Sequence, residues 1–401
     1  MISIIIALAI IAGILAGTLT GLFPGIHINL VAAILLASIA TSTTFPPLAL
    51  ALFIVSLATT HTFLDFIPSI YLGAPEEDSF LAVLPGHQLL QQGRGHEAVV
   101  LTLYGSLIAL PIILFFTPFF LFILPSVLKP VTIFMPYLLL FISLYLIFRE
   151  QYLLTGLTVF LLAGFLGLLT FNLPVKEPLL PLLTGLFGAS ALIVSLNNRP
   201  VLPKQKHQPL KKIKLTKKEF LKATFATIIA APFASFMPGL GAGHAAVIGS
   251  ELIPQERRGF MFLVGAINTI VVGLSFVTIY AIGRTRTGAA AAVNQILPNF
   301  TTTQLSYILI TIIAVGLLAF FLALQISKSF SKLITRINYQ TLTLTILAIL
   351  LIVNLIFSNT IGLLVLLTAT ALGVFAIQSQ VRRINLMGAL LLPTIIFYFF
   401  L

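Results

Sequence analysis

The chain contains no cysteine and few charged residues. Without cysteine it can form no disulfide, no thiolate metal site and no cysteine nucleophile. Only 8% of its 401 residues are charged whereas 59% are apolar, and water-soluble domains do not have this composition. Because lipid has to cover so much apolar surface, the sequence predicts an all-α polytopic membrane protein.

Acidic residues are fewer than basic ones, 10 against 22, and all 10 lie before residue 257. The basic residues cluster between Arg199 and Lys222, in a polar stretch that also contains prolines. Positive loops stay on the cytoplasmic side, so this stretch is predicted to be a cytoplasmic linker. We expect a first membrane repeat at 1–198, the linker at 199–217 and a second repeat at 218–401. Topology explains the net charge of +12, and no nucleic-acid partner is expected.

Most of the remaining chain consists of uncharged apolar runs of about 18 to 25 residues, which is the length that crosses about 30 Å of hydrocarbon. These runs predict about 10 to 12 membrane segments in the plasma membrane. The first run, residues 2–22, lacks the basic start and the cleavage site of a signal peptide, so it is predicted to be a retained span. Short segments such as residues 26–40 and 242–253 are candidates for re-entrant helices.

A proline and a glycine are set in an apolar run at two places, in residues 21–27 (GLFPGIH) and in residues 235–244 (SFMPGLGAGH). Each break is followed by a Ser/Thr-Ile-Tyr strip and later by a Leu-Pro helix. When the basic loops are kept inside, residues 98–128 run outward whereas their counterpart, residues 304–327, runs inward. The sequence therefore predicts two inverted-topology repeats with broken or re-entrant helices, an architecture of secondary transporters.

The two breaks suit the binding of an anion. Proline removes an amide from the helical ladder and glycine permits the turn that follows, so a new helix can start inside the membrane. Free N–H groups at its start attract a carboxylate or a phosphate, and nearby histidines could donate to the anion or shuttle a proton. The candidate substrate-binding residues are Pro24, Gly25, His27, Pro238, Gly239, Gly241, Gly243, His244, Arg284 and Arg286. Packing kinks without a ligand are the alternative.

Charged residues near the breaks point to ion coupling. A charge in the bilayer is costly and persists mostly where it is used or paired. The candidate ion-coupling residues are Asp65, Glu76, Glu77 and Asp78. We expect Asp65 or Glu76 to carry H⁺ or Na⁺, and Arg284 or Arg286 to hold a substrate carboxylate. Solvated loop charges without a role in transport are the alternative.

Residues 69–98 contain a Ser-Ile strip, a small loop with glycine and proline, a second glycine turn, and then the sequence GRGHEA at 93–98. Together with the break at 238–241, this order resembles the large membrane subunit of tripartite tricarboxylate transporters. The chain is shorter than the bacterial members, and its acidic residues 76–78 stand where those members usually have small or hydroxyl residues. The resemblance implies an ion-coupled carboxylate permease that works with a small membrane subunit and an extracytoplasmic binding protein.

The sequence has no nucleophile elbow, no metal box and no Walker lysine. The protein is therefore predicted not to be an enzyme and to use no cofactor or metal. The main alternative function is a lipid translocase for a polyprenyl phosphate, whose headgroup would suit the same helix starts and arginines. A channel is a third interpretation, because broken helices also line pores.

Overall fold

The structure is a computed structural model that describes residues 2–23, 46–73, 79–198, 203–206, 208–237, 240–334 and 339–400. Helices make up almost all of this part of the chain, and no strand occurs in it. Within it, nine helices are long and apolar enough to cross a membrane, and Leu179–Val194 and Arg383–Phe399 are shorter apolar helices. The predicted all-α polytopic membrane fold is confirmed, whereas the segment count of about 10 to 12 stays a prediction.

The helices before the linker are α1 (Ile2–Leu22), α2 (Pro47–Leu64), α3 (Phe66–Leu72), α4 (Phe80–Gln91), α5 (Gly95–Phe122), α6 (Leu124–Phe148), α7 (Leu153–Asn172), α8 (Leu179–Leu183) and α9 (Ser190–Asn198). A π-helical segment, Thr184–Ala189, joins α8 to α9. The helices after the linker are α10 (Lys217–Phe236), α11 (Ala242–Leu252), α12 (Arg257–Ile282), α13 (Gly288–Ile296), α14 (Thr302–Leu333), α15 (Tyr339–Gln378) and α16 (Gly388–Phe399).

Asn359 divides α15 into two helices, because its φ of 63° and ψ of −173° are not helical. Its side-chain oxygen accepts the N–H groups of Ile361 and Gly362 at 3.0 and 3.2 Å, and so caps the start of the second helix. Its amide nitrogen donates to the carbonyl of Pro174 in the loop after α7, at 2.8 Å. Residues 339–358 and 360–378 therefore meet at this loop.

Long and short helices follow the same order on both sides of the linker. In each part a long helical stretch, α2–α3 or α12, ends at a glycine in the left-handed region, Gly73 with φ 65° and Gly283 with φ 66°. Glycine adopts this conformation without the strain that a Cβ would cause. A short helix follows, α4 or α13, and then a long one, α5 or α14.

The helices α5 and α12 pack in parallel through the centre of the molecule. Glu97 near the start of α5 lies 3.1 Å from the guanidinium of Arg258 at the start of α12, and further along Gly273 packs against Ile113. Arg94 also binds Glu97, so that two arginines share this buried carboxylate. We call the end of the molecule at which α5 and α12 begin the basic end, and the opposite end the far end.

The helices α14 and α3 finish at the basic end. Ser327, near the end of α14, has its hydroxyl 2.9 Å from Nδ1 of His96 at the start of α5. The hydroxyl of Tyr71, near the end of α3, lies 3.2 Å from the same Ser327 oxygen. The stretch α2–α3 therefore runs opposite to α12, and α14 runs opposite to α5.

The described part of the linker lies against the basic end. The side chain of Gln205 accepts the N–H of Gly95 at 2.9 Å and donates to the carbonyl of Leu90 at 3.0 Å. The N–H of Lys206 donates to the carbonyl of Gly93 at 2.7 Å. These bonds hold the linker to the turn between α4 and α5. The predicted bounds of the linker and of the two repeats stay predictions.

The α5–α12 contact gives a test of the fold. A Cβ on Gly105 would lie 2.0 Å from the carbonyl oxygen of Phe262, so Gly105→Ala must push the two helix backbones apart. In an open helix the same change is favourable by about 1 kcal/mol, but here we expect a loss of about 3 kcal/mol. The measurement is the midpoint temperature of unfolding in detergent. Leu318→Ala on the exposed surface of α14 is the control. An unchanged midpoint for Gly105→Ala would contradict the packing.

Candidate functional site

The second Pro-Gly break falls between two helices. The helix α10 ends at Phe236 and α11 begins at Ala242, with an extended Gly241 as its N-cap. Pro238 and Gly239 themselves lie outside the described residues. The helix α11 packs back along α10, so the chain reverses its direction at the predicted break.

The helix α11 is too short to cross the membrane. With 11 residues it is about 16 Å long, roughly half of the hydrocarbon thickness. Its last turn lies at the basic end, where Glu251 pairs with Arg149 at 2.5 Å and lies 3.8 Å from Arg382. The carboxylate of Glu251 raises the pKa of the Arg149 guanidinium above its usual value. The first turn of α11 therefore lies near the middle of the membrane.

His244 lies in this first turn and is buried. Its Nδ1 accepts the N–H of Gly241 at 3.1 Å, so in the neutral ring the proton resides on Nε2. Nε2 is buried and has no hydrogen-bond partner in the described part of the chain. A buried donor without a partner is costly, which indicates that a ligand or a water accepts from it. This geometry favours the predicted role of donor over that of proton shuttle, because protonating Nδ1 would break its bond to Gly241.

Arg286 is fixed to the same break by backbone carbonyls. Its Nε donates to Leu240 at 2.7 Å and to Ala234 at 3.1 Å, which lie on the two sides of the interruption. One terminal nitrogen lies 3.4 Å from the position that a Cβ on Gly241 would take. Among the described residues no carboxylate lies within 4 Å of this guanidinium. Its positive charge therefore stays available at the start of α11.

A reversal of the chain after α12 brings Arg286 to this depth. Beyond the end of α12 at Ile282, the Thr287 hydroxyl lies 3.1 Å from that of Ser275, which belongs to α12. The same Thr287 oxygen accepts the N–H of Ala290 at 3.1 Å and caps α13. The helix α13 therefore begins beside the inner part of α12, next to Arg286.

A cavity of about 310 Å³ lies beside the first turn of α11, and we call it the His244 cavity. Its lining residues are Phe80, Phe171, Leu179, Gly241, Gly243, His244, Arg286, Leu390, Pro393, Thr394 and Phe397. Helices from both sides of the linker contribute to this wall. Most of the wall is apolar, and its cationic and donor groups are concentrated at the start of α11. Such a cavity can orient a small anion by a few placed donors.

Of the glycines predicted to admit a ligand, Gly241 and Gly243 lie in the described residues, and their surroundings differ. A Cβ on Gly241 would meet only Arg286 at 3.4 Å and His244 at 3.9 Å, so this backbone faces open space. A Cβ on Gly243 would lie 2.5 Å from the ring of Phe80. Gly241 thus leaves room for a ligand, whereas Gly243 allows α11 to pack against α4.

The two candidate arginines are also separated by the structure. Arg284 is exposed and does not line the His244 cavity, although it follows the same helix end as Arg286. The side chain of Arg286 is partly buried in the cavity wall. Of the two, Arg286 is therefore the residue placed to contact an anion.

Asp65 is fully buried at the junction of α2 and α3. Its Oδ2 accepts the side-chain N–H of Asn268, from the middle of α12, at 2.7 Å. Beside them the hydroxyl of Thr269 donates to that of Thr62 at 3.4 Å, and the Asn268 amide oxygen has no hydrogen-bond partner in the described segments. These oxygens form a cluster between two central helices, and oxygen ligands of this kind suit a hard cation.

The remaining predicted site residues lie outside the described residues, and their roles stay predictions. They are Pro24, Gly25, His27, Glu76, Glu77, Asp78, Pro238 and Gly239. In the described ranges no group of three or more His, Cys, Asp or Glu could hold a metal ion. Phe80, Thr394 and Phe397 line the cavity but are not among the predicted site residues, because helix packing alone brings them there and no local feature of the sequence marks them.

The chain is similar to known proteins over most of its length. The model of the tripartite tricarboxylate transporter TctA family matches residues 7–388. The uncharacterized protein MJ1079 of Methanocaldococcus jannaschii is 29% identical over 361 residues, which cover 86% of this chain and 88% of that protein. No solved structure matches the chain.

His244 offers a matched pair of substitutions. Asn at this position keeps an acceptor for the Gly241 N–H but loses the donor at Nε2, whereas Gln keeps a donor near Nε2. We expect His244→Asn to unfold near the wild-type temperature but to bind di- and tricarboxylates about 10-fold to 100-fold more weakly, the cost of one hydrogen bond to a charged group. His244→Gln retains more of the affinity. Calorimetric titration in detergent measures the affinity of both variants for these acids. Equal affinities for wild type and His244→Asn would contradict the assigned donor.

Proposed function

Because the chain belongs to the tripartite tricarboxylate transporter TctA family, we propose that it moves a small carboxylate anion across the plasma membrane as a secondary active transporter. The family is one of transporters and not of enzymes. Its members work with a small membrane subunit and a binding protein, and we propose the same kinds of partner here. The protein itself is a multi-pass integral membrane protein.

The observation that carries the proposal is the pairing of Arg286 with His244 at the His244 cavity. The guanidinium of Arg286 has no carboxylate partner in the described residues, and Nε2 of His244 is a fixed donor. Both groups lie at the start of α11, whose length is about half of the hydrocarbon thickness. The dipole of α11 adds a partial positive charge at the same point. Together they offer a carboxylate three kinds of favourable contact in surroundings of low dielectric constant.

Paired features of the two parts of the chain support inverted repeats. The hydroxyls of Ser69 and Ser79 lie 2.6 Å apart just before α4, and those of Ser275 and Thr287 lie 3.1 Å apart just before α13. The packing is also reciprocal, since α16 lies against α7 while α8 and α9 lie against α15. With two such repeats, access to a shared cavity can alternate between the two membrane sides.

We propose that the cluster around Asp65 carries the coupling cation, H⁺ or Na⁺. Asn268 of this cluster belongs to α12, and the same helix holds the loop of Arg286 through the contact between Ser275 and Thr287. A cation at Asp65 would therefore fix the position of α12 and with it the anion site. By linkage, binding of the anion would strengthen binding of the cation to the same degree.

The assay for the proposed function is uptake into liposomes of labelled di- and tricarboxylates under imposed sodium and proton gradients. We expect Arg286→Gln to lower uptake about 100-fold, the cost of about 3 kcal/mol for a lost bond to a charged substrate. Arg284, which is exposed, provides the matched control, and Arg284→Gln is expected to transport at close to the wild-type rate. Equal losses in both variants would contradict the assignment of Arg286.

Asp65→Asn tests ion coupling in the same liposomes. The amide keeps the size of the side chain but cannot bind a proton or balance a cation, so the gradient should no longer drive accumulation. We expect exchange of labelled for unlabelled acid to persist while gradient-driven uptake falls by at least about tenfold. Glu177→Gln, at an exposed carboxylate in the loop before α8, is the control. Full gradient dependence in Asp65→Asn would exclude this residue as the cation carrier.

The alternative of a polyprenyl-phosphate translocase has one observation in its favour. Phe171, Leu390 and Phe397 make much of the His244 cavity wall apolar, as an isoprenoid tail would require. The liposome assay separates the two functions when a fluorescent polyprenyl phosphate is included. Flipping of that lipid without accumulation of any acid would replace the carboxylate proposal.

A further inference from the structure

A second cavity, of about 480 Å³, lies nearer the basic end, and we call it the Arg383 cavity. Its polar lining residues are His87, Gln88, Gln91, Gln380, Arg382 and Arg383. This lining carries two arginines and no acidic residue among the described residues. Of these side chains, Arg382 also contacts α11, through Glu251.

The same three segments line both cavities. In α4, Phe80 lies at the His244 cavity, while Gln88 and Gln91 lie at the Arg383 cavity. The stretch from α8 to α9 contributes Leu179 to the first and Leu192 to the second, and residues 380–397 pass from the second to the first. The two cavities therefore lie one after the other along the same three segments.

Two phenylalanines lie between the His244 cavity and Arg383. The rings of Phe80 and Phe187 have their centroids 4.6 Å apart, and both side chains are buried. Phe80 belongs to the wall of the His244 cavity, and Phe187 belongs to the π-helical segment between α8 and α9. Because two apolar rings in contact exclude water, this pair forms an apolar barrier between Arg383 and the wall of the His244 cavity.

Arg383 lies on the other side of this barrier. Its guanidinium carbon lies 5.4 Å from the centroid of the Phe187 ring. One terminal nitrogen donates to the carbonyls of Leu186 and Phe187 at 3.0 and 2.5 Å and to the hydroxyl of Ser190 at 3.3 Å. The side chain is thus held in place by backbone groups of the π-helical segment.

The charge of Arg383 has no counter-ion in the described part of the chain. No carboxylate there lies within 4 Å of it, and its buried Nε has no hydrogen-bond partner. The adjacent Arg382 differs, since Glu150 lies 2.7 Å from its Nε and Glu251 lies 3.8 Å from a terminal nitrogen. An unbalanced charge in a membrane protein is costly unless an anion or water reaches it.

We propose that the Arg383 cavity is a second anion-binding station, in which Arg383 with Gln91 receives a carboxylate of the transported acid. The inference rests on the proposed function, because it places this station on the same route as the His244 cavity. The anion reaches one station from the far end and the other from the basic end. Separation of the Phe80 and Phe187 rings connects the two.

The absence of cysteine makes a direct electrostatic test possible. A single thiol introduced by Gln88→Cys faces the Arg383 cavity. It is reacted with an anionic sulfonatoethyl and a cationic trimethylammonioethyl methanethiosulfonate, and each rate is divided by that of a small thiol in solution. We expect the normalised rates to favour the anionic reagent about tenfold, the effect of one nearby positive charge at intermediate dielectric constant.

The charge is then removed in the Gln88→Cys background. Arg383→Gln is expected to abolish the preference, whereas Arg383→Lys keeps it. Lys328→Gln removes an exposed charge near the end of α14 and is expected to leave it unchanged. Equal normalised rates for the two reagents in Gln88→Cys overturn the proposal. A preference for the anionic reagent that persists in Arg383→Gln overturns it as well. If Arg383→Gln does not fold, loss of the preference in Arg383→Lys overturns it instead.

Protection by substrate completes the test and separates it from the proposed function. Citrate and succinate are expected to slow the labelling of Gln88→Cys at least about threefold, because a bound carboxylate screens Arg383 and occupies the cavity. Labelling that neither acid slows overturns the second station even if uptake is normal. If no acid is taken up but the labelling still favours the anionic reagent and is still slowed by the acids, the transport function is overturned and this anion site remains.

Discussion

The site depends on the requirement that backbone groups released inside a membrane must find partners. Where α10 stops and α11 starts, carbonyl and N–H groups leave the helical ladder at a depth that water does not reach from the lipid side. The carbonyls of Ala234 and Leu240 are satisfied by Nε of Arg286, and the N–H of Gly241 is satisfied by Nδ1 of His244. The groups that repair the break therefore also place a cation and a donor beside the His244 cavity.

The two helices that flank this break, α10 and α11, are both held by contacts with other segments. At the basic end a carboxylate on its last turn would face the negative end of the helix dipole, which is unfavourable alone. Arg149 and Arg382 compensate Glu251 there and tie α11 to the loops after α6 and α15. At the other end the hydroxyl of Thr278 donates to the carbonyl of Ser235 and fastens α12 to the end of α10. Movement of α11 would have to break the contacts of Glu251, and movement of the end of α10 would have to break the bond between Thr278 and Ser235.

The features that could be predicted from the sequence are those with a local cause. Apolar run length predicts the membrane class, and the Pro-Gly dipeptide at 238–239 predicts the interruption between α10 and α11, because both act within a few residues. The resemblance to tripartite tricarboxylate transporters is confirmed by the family model over residues 7–388. His244 was a candidate because it follows the break directly.

The features that could not be predicted arise from packing between distant segments. Arg284 and Arg286 are alike in sequence, and only the reversal of the chain at Thr287 separates an exposed residue from one in the cavity wall. The contact between Phe80 and Phe187 joins positions on different helices, and no spacing in the sequence signals it. The tautomer of His244 follows from one backbone contact, which a residue type alone does not reveal.

The most direct test of the central claim is a solid-state NMR distance measurement in lipid. The transported acid, labelled with ¹³C in its carboxylates, is bound to protein labelled with ¹⁵N in arginine and histidine side chains. The account predicts carboxylate carbons within about 4 Å of Nε2 of His244 and of the Arg286 guanidinium, with both signals lost when these two residues are replaced. Bound acid with no dephasing from either nitrogen would contradict the claim that the break between α10 and α11 forms the anion site.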